Sequence, residues 1–197
     1  VPLQIGVQLL PTLFRDFKNL YPEIELEVVE AGGIDSLRMI ENEELDLAVT
    51  NYDDSFSPNL HYRKLFKSEA CFCTYPDHPL AQKKYVDTKD IANEPLVLLN
   101  GGFFVNRLIY QNFQQALTAP KVILHSSQLH TVKNLISSQI ASSFLMRQAI
   151  TASDNIIPLS LKKPLFINSG IVTKRGRQIY GDEQKLIEFI CDNQPLG

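Results

Sequence analysis

Two hydrophobic rhythms alternate along the chain. Leu3, Ile5 and Val7 are spaced by two, the period of a strand with one face buried. Leu10, Leu13, Phe14, Phe17 and Leu20 then recur at intervals of three and four, with Arg15, Asp16, Lys18 and Asn19 between them, which predicts an amphipathic helix. Pro11 suits its first turn and Pro22 ends it. EIELEVVE at 23–30 alternates acid and aliphatic, again a strand, and Ala31-Gly32-Gly33 turns the chain. Ile34, Leu37 and Ile40 mark a short helix, and LDLAV at 45–49 a third strand that stops at Thr50-Asn51.

The second half repeats this plan. An extended run covers 61–75, followed by a turn at Asp77-His78-Pro79-Leu80-Ala81. A strand at 94–99 closes on Asn100-Gly101-Gly102. A helix then carries Phe104, Leu108, Ile109, Phe113 and Leu117 and ends before Pro120. Val122-Ile123-Leu124 is a strand, Ser126-Ser127 a helix N-cap signal, and Val132, Leu135 and Ile136 the helix it opens. ASSFLM at 141–146 is a strand, a short helix follows from Gln148, and 156–159 is an edge strand because of Pro158. The run 165–174 leads to a last helix whose apolar face is Leu186, Ile187 and Ile190.

Strand and helix in alternation predict an α/β fold with parallel strands and right-handed crossovers. The repeated plan predicts two Rossmann-like lobes joined by two crossing strands, with a cleft between them. Lobe I takes residues 1–72 and 171–197, and lobe II takes 73–170. In such sheets ligands collect beyond the carboxyl ends of the strands. In the first lobe that edge would hold Gln8, Gly32, Gly33, Thr50 and Asn51. Thr50 and Asn51 equally suit a strand cap that opens a turn.

Composition narrows the function. The 197 residues are 44% hydrophobic and 21% charged, enough apolar content for one large domain or two small lobes. The formal charge is −3 and the basic residues are scattered, which argues against these residues gripping nucleic acid by themselves. Three cysteines, an odd number, argue against a disulfide framework and for a reducing compartment. Cys71 and Cys73 share one face of an extended run, and packing beneath a strand is preferred to a redox pair. The four histidines are dispersed, so neither a metal nor a cofactor is expected. GxSxG, P-loop and dinucleotide fingerprints do not occur, which disfavours an enzyme. No apolar run has the length of a membrane span, and the opening VPLQIGVQ reads as a strand without the leader of a secretory signal.

Four stretches resemble the effector-binding domain of LysR-type transcriptional regulators. They are LFRDFKNLYPEIEL at 13–26, ELDLAV at 44–49, DHPLA at 77–81 with IANEPL at 91–96, and VILHSSQ at 122–128. They fall in the family's order and the resemblance covers essentially the whole chain. It implies a fold like that of type 2 periplasmic binding proteins and a small-molecule effector, such as a small anion or carboxylate, in the interlobe cleft. It implies a cytoplasmic location and a winged helix-turn-helix ahead of this domain, through which alone DNA would be bound. This chain then reads as a piece of a longer regulator. A homodimer made by antiparallel packing of lobes is implied, and a tetramer for the full-length protein. The expected effector contacts from lobe II are Asn100, Gly102, Phe103, Ser126 and Ser127.

Three features depart from the family pattern. Gly6-Val7-Gln8 runs straight into the first helix without the usual loop. SSQIASS at 137–143 lacks the glycines common before the following strand. Gly33 stands where some relatives place a carboxylate-binding hydroxyl. The rival function is a secreted solute-binding protein of a transport system with the same fold.

Overall fold

The computed structural model of the protein describes residues 1–52, 57–100 and 104–193. Two compact units are present, one of Val1–Lys67 with Asn168–Gly197, the other of Ser68–Ile167.

The first unit opens with a helix, not a strand. Helix α1 (Leu3–Thr12) starts from Pro2, whose extended φ of −65° and ψ of 142° suit an N-cap. It continues through a π-helical stretch, Leu13–Phe17, and a last turn, α2 (Lys18–Leu20). The strand reading of residues 3–7 is therefore corrected. Ile5, Leu9, Leu13 and Phe17 stand four apart and are all buried, so the helical stripe begins earlier than Leu10. Val7, the third apolar member of the strand pattern, is 45% exposed.

Residues 23–30 are extended. Ile24 is buried, Leu26 and Val28 are half-buried, and Glu25 and Glu27 are exposed, the alternation the sequence predicts. They join no sheet among the described residues. Helix α3 (Gly33–Glu41) follows, then strand β1 (Ala48–Tyr52). The strand expected at 45–49 thus lies three residues further on and includes Thr50 and Asn51.

Strand β1 pairs antiparallel with β7 (Leu165–Lys174), placing Ala48 opposite Val172, Thr50 opposite Gly170 and Asn51 opposite Ser169. On the far side of β7 runs β2 (Leu60–Thr74). This is a correction to the expected parallel pairing. Strand β7, near the end of the chain, returns between strands that are neighbours in sequence. Gly170 is required there, since a Cβ on it would lie 2.3 Å from the Arg63 carbonyl oxygen. Helix α6 (Gly181–Asp192) completes the core. Its Ile187, Phe189 and Ile190 pack with Ile5, Leu9, Leu13, Phe17, Ile24, Val49 and Ile171, and the Phe17 and Phe189 rings meet edge to face at 5.2 Å.

In the second unit the end of β2 lies between β5 (Ser143–Met146) and β6 (Ile157–Leu159), with Phe72 opposite both Phe144 and Leu159. Strand β3 (Pro95–Leu99), helix α4 (Phe104–Gln115) and strand β4 (Lys121–Ser126) form a parallel βαβ unit, as the pattern predicts. Helix α5 (Leu129–Ser137) follows. Phe72, Phe113 and Phe144 are fully buried and their rings stack edge to face. The DHPLA turn is fixed from within. The Leu80 N–H donates to His78 Nδ1 at 3.1 Å, so Nε2 carries the proton it gives to Glu94.

Candidate functional site

In the first unit two groups converge at one sheet edge. Helix α3 packs on β1 through Ile40 and Ala48. A helix joined directly to the following strand runs antiparallel to it, so the N-terminus of α3 lies at the carboxyl end of β1. Gly32 is the N-cap, with φ −62° and ψ 156°, and no side chain caps the helix. The first N–H groups of α3 therefore point outward with the positive end of the helix dipole. Ser36, one turn on, is fully buried, and its hydroxyl finds no partner among the described residues.

Thr50 and Asn51 are 0% and 4% exposed. The Asn51 amide is oriented by Ser169, whose hydroxyl donates to Asn51 Oδ1 at 2.6 Å from the facing strand. Gln8 does not belong to this edge by the expected route. It lies half-buried in the middle of α1, not in a strand-to-helix loop.

The second unit builds a similar edge. The Asn100 N–H donates to the Ser126 carbonyl at 2.9 Å, which joins the ends of β3 and β4. Asn106, in the first turn of α4, is buried and donates its Nδ2 to the carbonyls of Leu99 (2.6 Å) and Asn100 (3.0 Å). Ser126 accepts the Gln128 N–H at 3.1 Å. Gln128 is the N-cap of α5, so the expected Ser126-Ser127 cap is corrected by one to two residues. Ser126 shapes the entry turn, and Ser127 stays exposed. Gly102 and Phe103 lie outside the described residues.

Sequence reasoning therefore assembles Gly32, Gly33, Thr50 and Asn51 in one unit and Asn100 with Ser126 in the other. It misses Ser169, Ser36 and Asn106. For Asn106 a signal existed, an amide in the first turn after the Asn-Gly-Gly stretch. For Ser169 there was none, because its role depends on pairing with residues 118 positions away.

Cys71 and Cys73 are both buried. Burial and the neighbouring Glu69 push the Cys71 thiol up to about 12, and burial also raises Cys73. Both stay protonated at neutral pH, which agrees with packing rather than redox chemistry. Among the described residues no cluster of three His, Cys, Asp or Glu comes together, and no helix is long and apolar enough to cross a membrane.

Comparison with known proteins places this geometry. The family model described as the LysR substrate binding domain matches residues 1–194. The transcriptional dual regulator GltC of Bacillus subtilis (strain 168) is 26% identical over 198 residues, a match covering 96% of this chain and 64% of that protein. The chain thus spans a little under two thirds of that regulator. Two solved structures share the fold. The Synechocystis PCC6803 CcmR regulatory domain in complex with 2-PG has a TM-score of 0.87 at 17% identity, covering 97% of this chain and 93% of that one. The effector binding domain of QuiR in complex with shikimate has a TM-score of 0.80 at 19% identity, covering 97% and 92%.

Proposed function

The chain belongs to the LysR substrate-binding domain family, with its type 2 periplasmic-binding-protein-like α/β fold, and from that premise we propose that it is the ligand-sensing domain of a cytoplasmic transcriptional regulator. Its ligand is a small anionic effector, with Thr50 and Asn51 in the first unit and Asn100 and Ser126 in the second as the residues proposed to bind it. It shifts the regulator's conformational equilibrium by its differential affinity for two states. DNA is contacted through a winged helix-turn-helix elsewhere in the longer protein. The domain binds and does not catalyse.

The observation that carries this reading is the N-terminus of α3, uncapped by any side chain, at the edge that also holds Thr50 and Asn51. Backbone N–H groups and a helix dipole are a ready anion site. Shikimate and 2-PG in the two neighbouring structures support a small, oxygen-rich effector. The relatives compared are regulators, which favours this reading over a secreted transport receptor.

The assembly proposed is a homodimer, tetrameric at full length. Each unit carries apolar surface suited to it. Phe14 and Leu20 are 53% and 63% exposed in the first unit, and Ile123 and Leu124 are 51% and 41% exposed in the second.

The test is native mass spectrometry of the full-length regulator against a panel of small carboxylates and phosphates, with Thr50→Ala and Ser126→Ala as variants. The expected result is a ligand whose affinity falls about tenfold or more in each variant, about 1.4 kcal/mol per site. A ligand indifferent to either variant, or no retained ligand, overturns this reading.

A further inference from the structure

Basic residues that are dispersed along the sequence gather in the fold of the second unit. Residues 68–167 carry nine basic and six acidic side chains, a net +3, while the whole chain is −3. Five of the nine, Lys83, Lys84, Lys89, Lys162 and Lys163, meet on one surface. A parallel bridge between Val86 and Leu161 brings them there. The Val86 N–H donates to the Ser160 carbonyl at 3.0 Å, and the Lys162 N–H donates to the Val86 carbonyl at 2.8 Å. The two lysine-bearing stretches are thereby held side by side.

Two adjoining hollows share Asp87 and Lys162. One, of about 360 Å³, has the size of a small-ligand site. Lys89, Lys162 and Lys163 line it, together with Thr88 and the C-terminal half of α4. Its polar wall is set in advance. Thr88 is buried, and its hydroxyl donates to Asn112 Oδ1. That leaves both hydrogens of Asn112 Nδ2 without a partner among the described residues. Acids do not cancel the lysines. Asp90 takes Lys83 at 2.9 Å, and Asp87 stands 4.0 Å from Lys162. The ammonium groups of Lys84, Lys89 and Lys163 pair with no acid among the described residues. Nor are they needed to cap α4. That end is closed by Leu117 at φ 55° and by the Thr118 N–H, which donates to the Phe113 carbonyl at 3.0 Å. A hollow lined by one sign of charge concentrates ions of the other.

We propose that this hollow is a second anion site, built from none of the residues proposed to bind the effector, and that its ligand is a small molecule carrying a diphosphate group. Lys89, Lys162 and Lys163 against Asp87 give the lining a net +2, a match for a multiply charged anion and more than a single carboxylate would offset. Lysine serves phosphate as a point charge, and Asn112 Nδ2 adds a directed hydrogen bond. Tyr85, 51% exposed in the adjoining hollow, offers an aromatic face to the rest of the molecule. The inference does not rest on the regulator reading.

Isothermal titration calorimetry of the full-length protein with inorganic pyrophosphate tests it. One pyrophosphate per chain is expected. Its affinity should fall about tenfold or more when Lys89→Gln and Lys163→Gln are combined, and likewise in Asn112→Asp, which keeps the shape of the amide but puts an acid in the wall. Lys121→Gln removes an exposed charge elsewhere in the same unit and should leave the affinity unchanged. No binding of pyrophosphate, or an equal loss in Lys121→Gln, would overturn the proposal. A loss produced instead by Thr50→Ala would place the pyrophosphate at the effector edge and overturn it as well. If the lysine variant weakened DNA binding while pyrophosphate did not bind, the patch would serve nucleic-acid phosphates and the proposal would fall.

Discussion

Gln139 holds φ at 60°, in the left-handed region that costs a side chain about 1 kcal/mol. It closes α5. Its N–H donates to the Ile136 carbonyl at 2.9 Å and the Ile140 N–H donates to Leu135 at 3.1 Å, a Schellman arrangement that glycine suits best. The absence of glycine from 137–143 was visible in the sequence, but not which residue would take the strained position. Gln139 is exposed, and among the described residues no side-chain bond holds it there. Gln139→Gly is expected to raise stability by about 0.5–1 kcal/mol, read as a higher urea midpoint at unchanged slope. A lower midpoint would show that the glutamine side chain is needed where it stands. Thr50 and Asn51 show the same boundary of legibility at another position. Their hydrogen-bonding character is local information. The hydroxyl of Ser169 that orients Asn51 is supplied by strand register, which no local pattern encodes.

At the scale of elements, the period of apolar residues located most of the second unit. Strands β3 and β4 with α4 between them, β5, and the proline-bearing β6 all fall where alternation or helical spacing placed them. The first unit was harder. Leu3, Ile5 and Val7 match a strand, while Ile5, Leu9, Leu13 and Phe17 match a helix, and the longer match wins because it buries four large side chains in one line. Helix α6 was legible from Leu186, Ile187 and Ile190, but its anchor was not. Glu183, in its first turn, accepts two bonds from Arg177 (2.9 and 2.5 Å) and one from the Tyr180 N–H at 3.0 Å. The Arg177 guanidinium, chiefly, holds the Glu183 carboxyl below its ordinary value of 4.5. A carboxylate depressed on folding stabilises the native state fully above its unfolded value, and that contribution is lost as pH falls through the folded one. Glu183→Gln should therefore cost about 1–2 kcal/mol at pH 7. The difference from the parent should shrink as pH drops below about 4.5. Urea melts of both proteins from pH 7 to 3 check this, and a gap independent of pH would remove the ion pair as its cause.

At the scale of the molecule, the two units are not equal pieces of sequence. Unit 2 is one continuous stretch, and β3 to β6 and helices α4 and α5 lie wholly inside it. Unit 1 needs both ends of the chain. Strand β7 is hydrogen-bonded between β1 and β2, and Ile171, Ile187, Phe189 and Ile190 supply four of the ten residues of its main apolar cluster. Burying one such side chain is worth about 1.5–3 kcal/mol, so four amount to about 6–12 kcal/mol. That equals the whole stability of an ordinary domain, about 5–15 kcal/mol. Residues 1–67 expressed alone should therefore remain unfolded, while residues 68–167 alone should keep a cooperative melt and dispersed amide resonances. Circular dichroism and a proton–nitrogen correlation spectrum of each fragment decide the matter. A folded 1–67 fragment would mean that the returning segment adds little to this core. An unfolded 68–167 fragment would mean that unit 2 depends on the rest of the chain, and that the boundaries at 67/68 and 167/168 do not separate independent folding units.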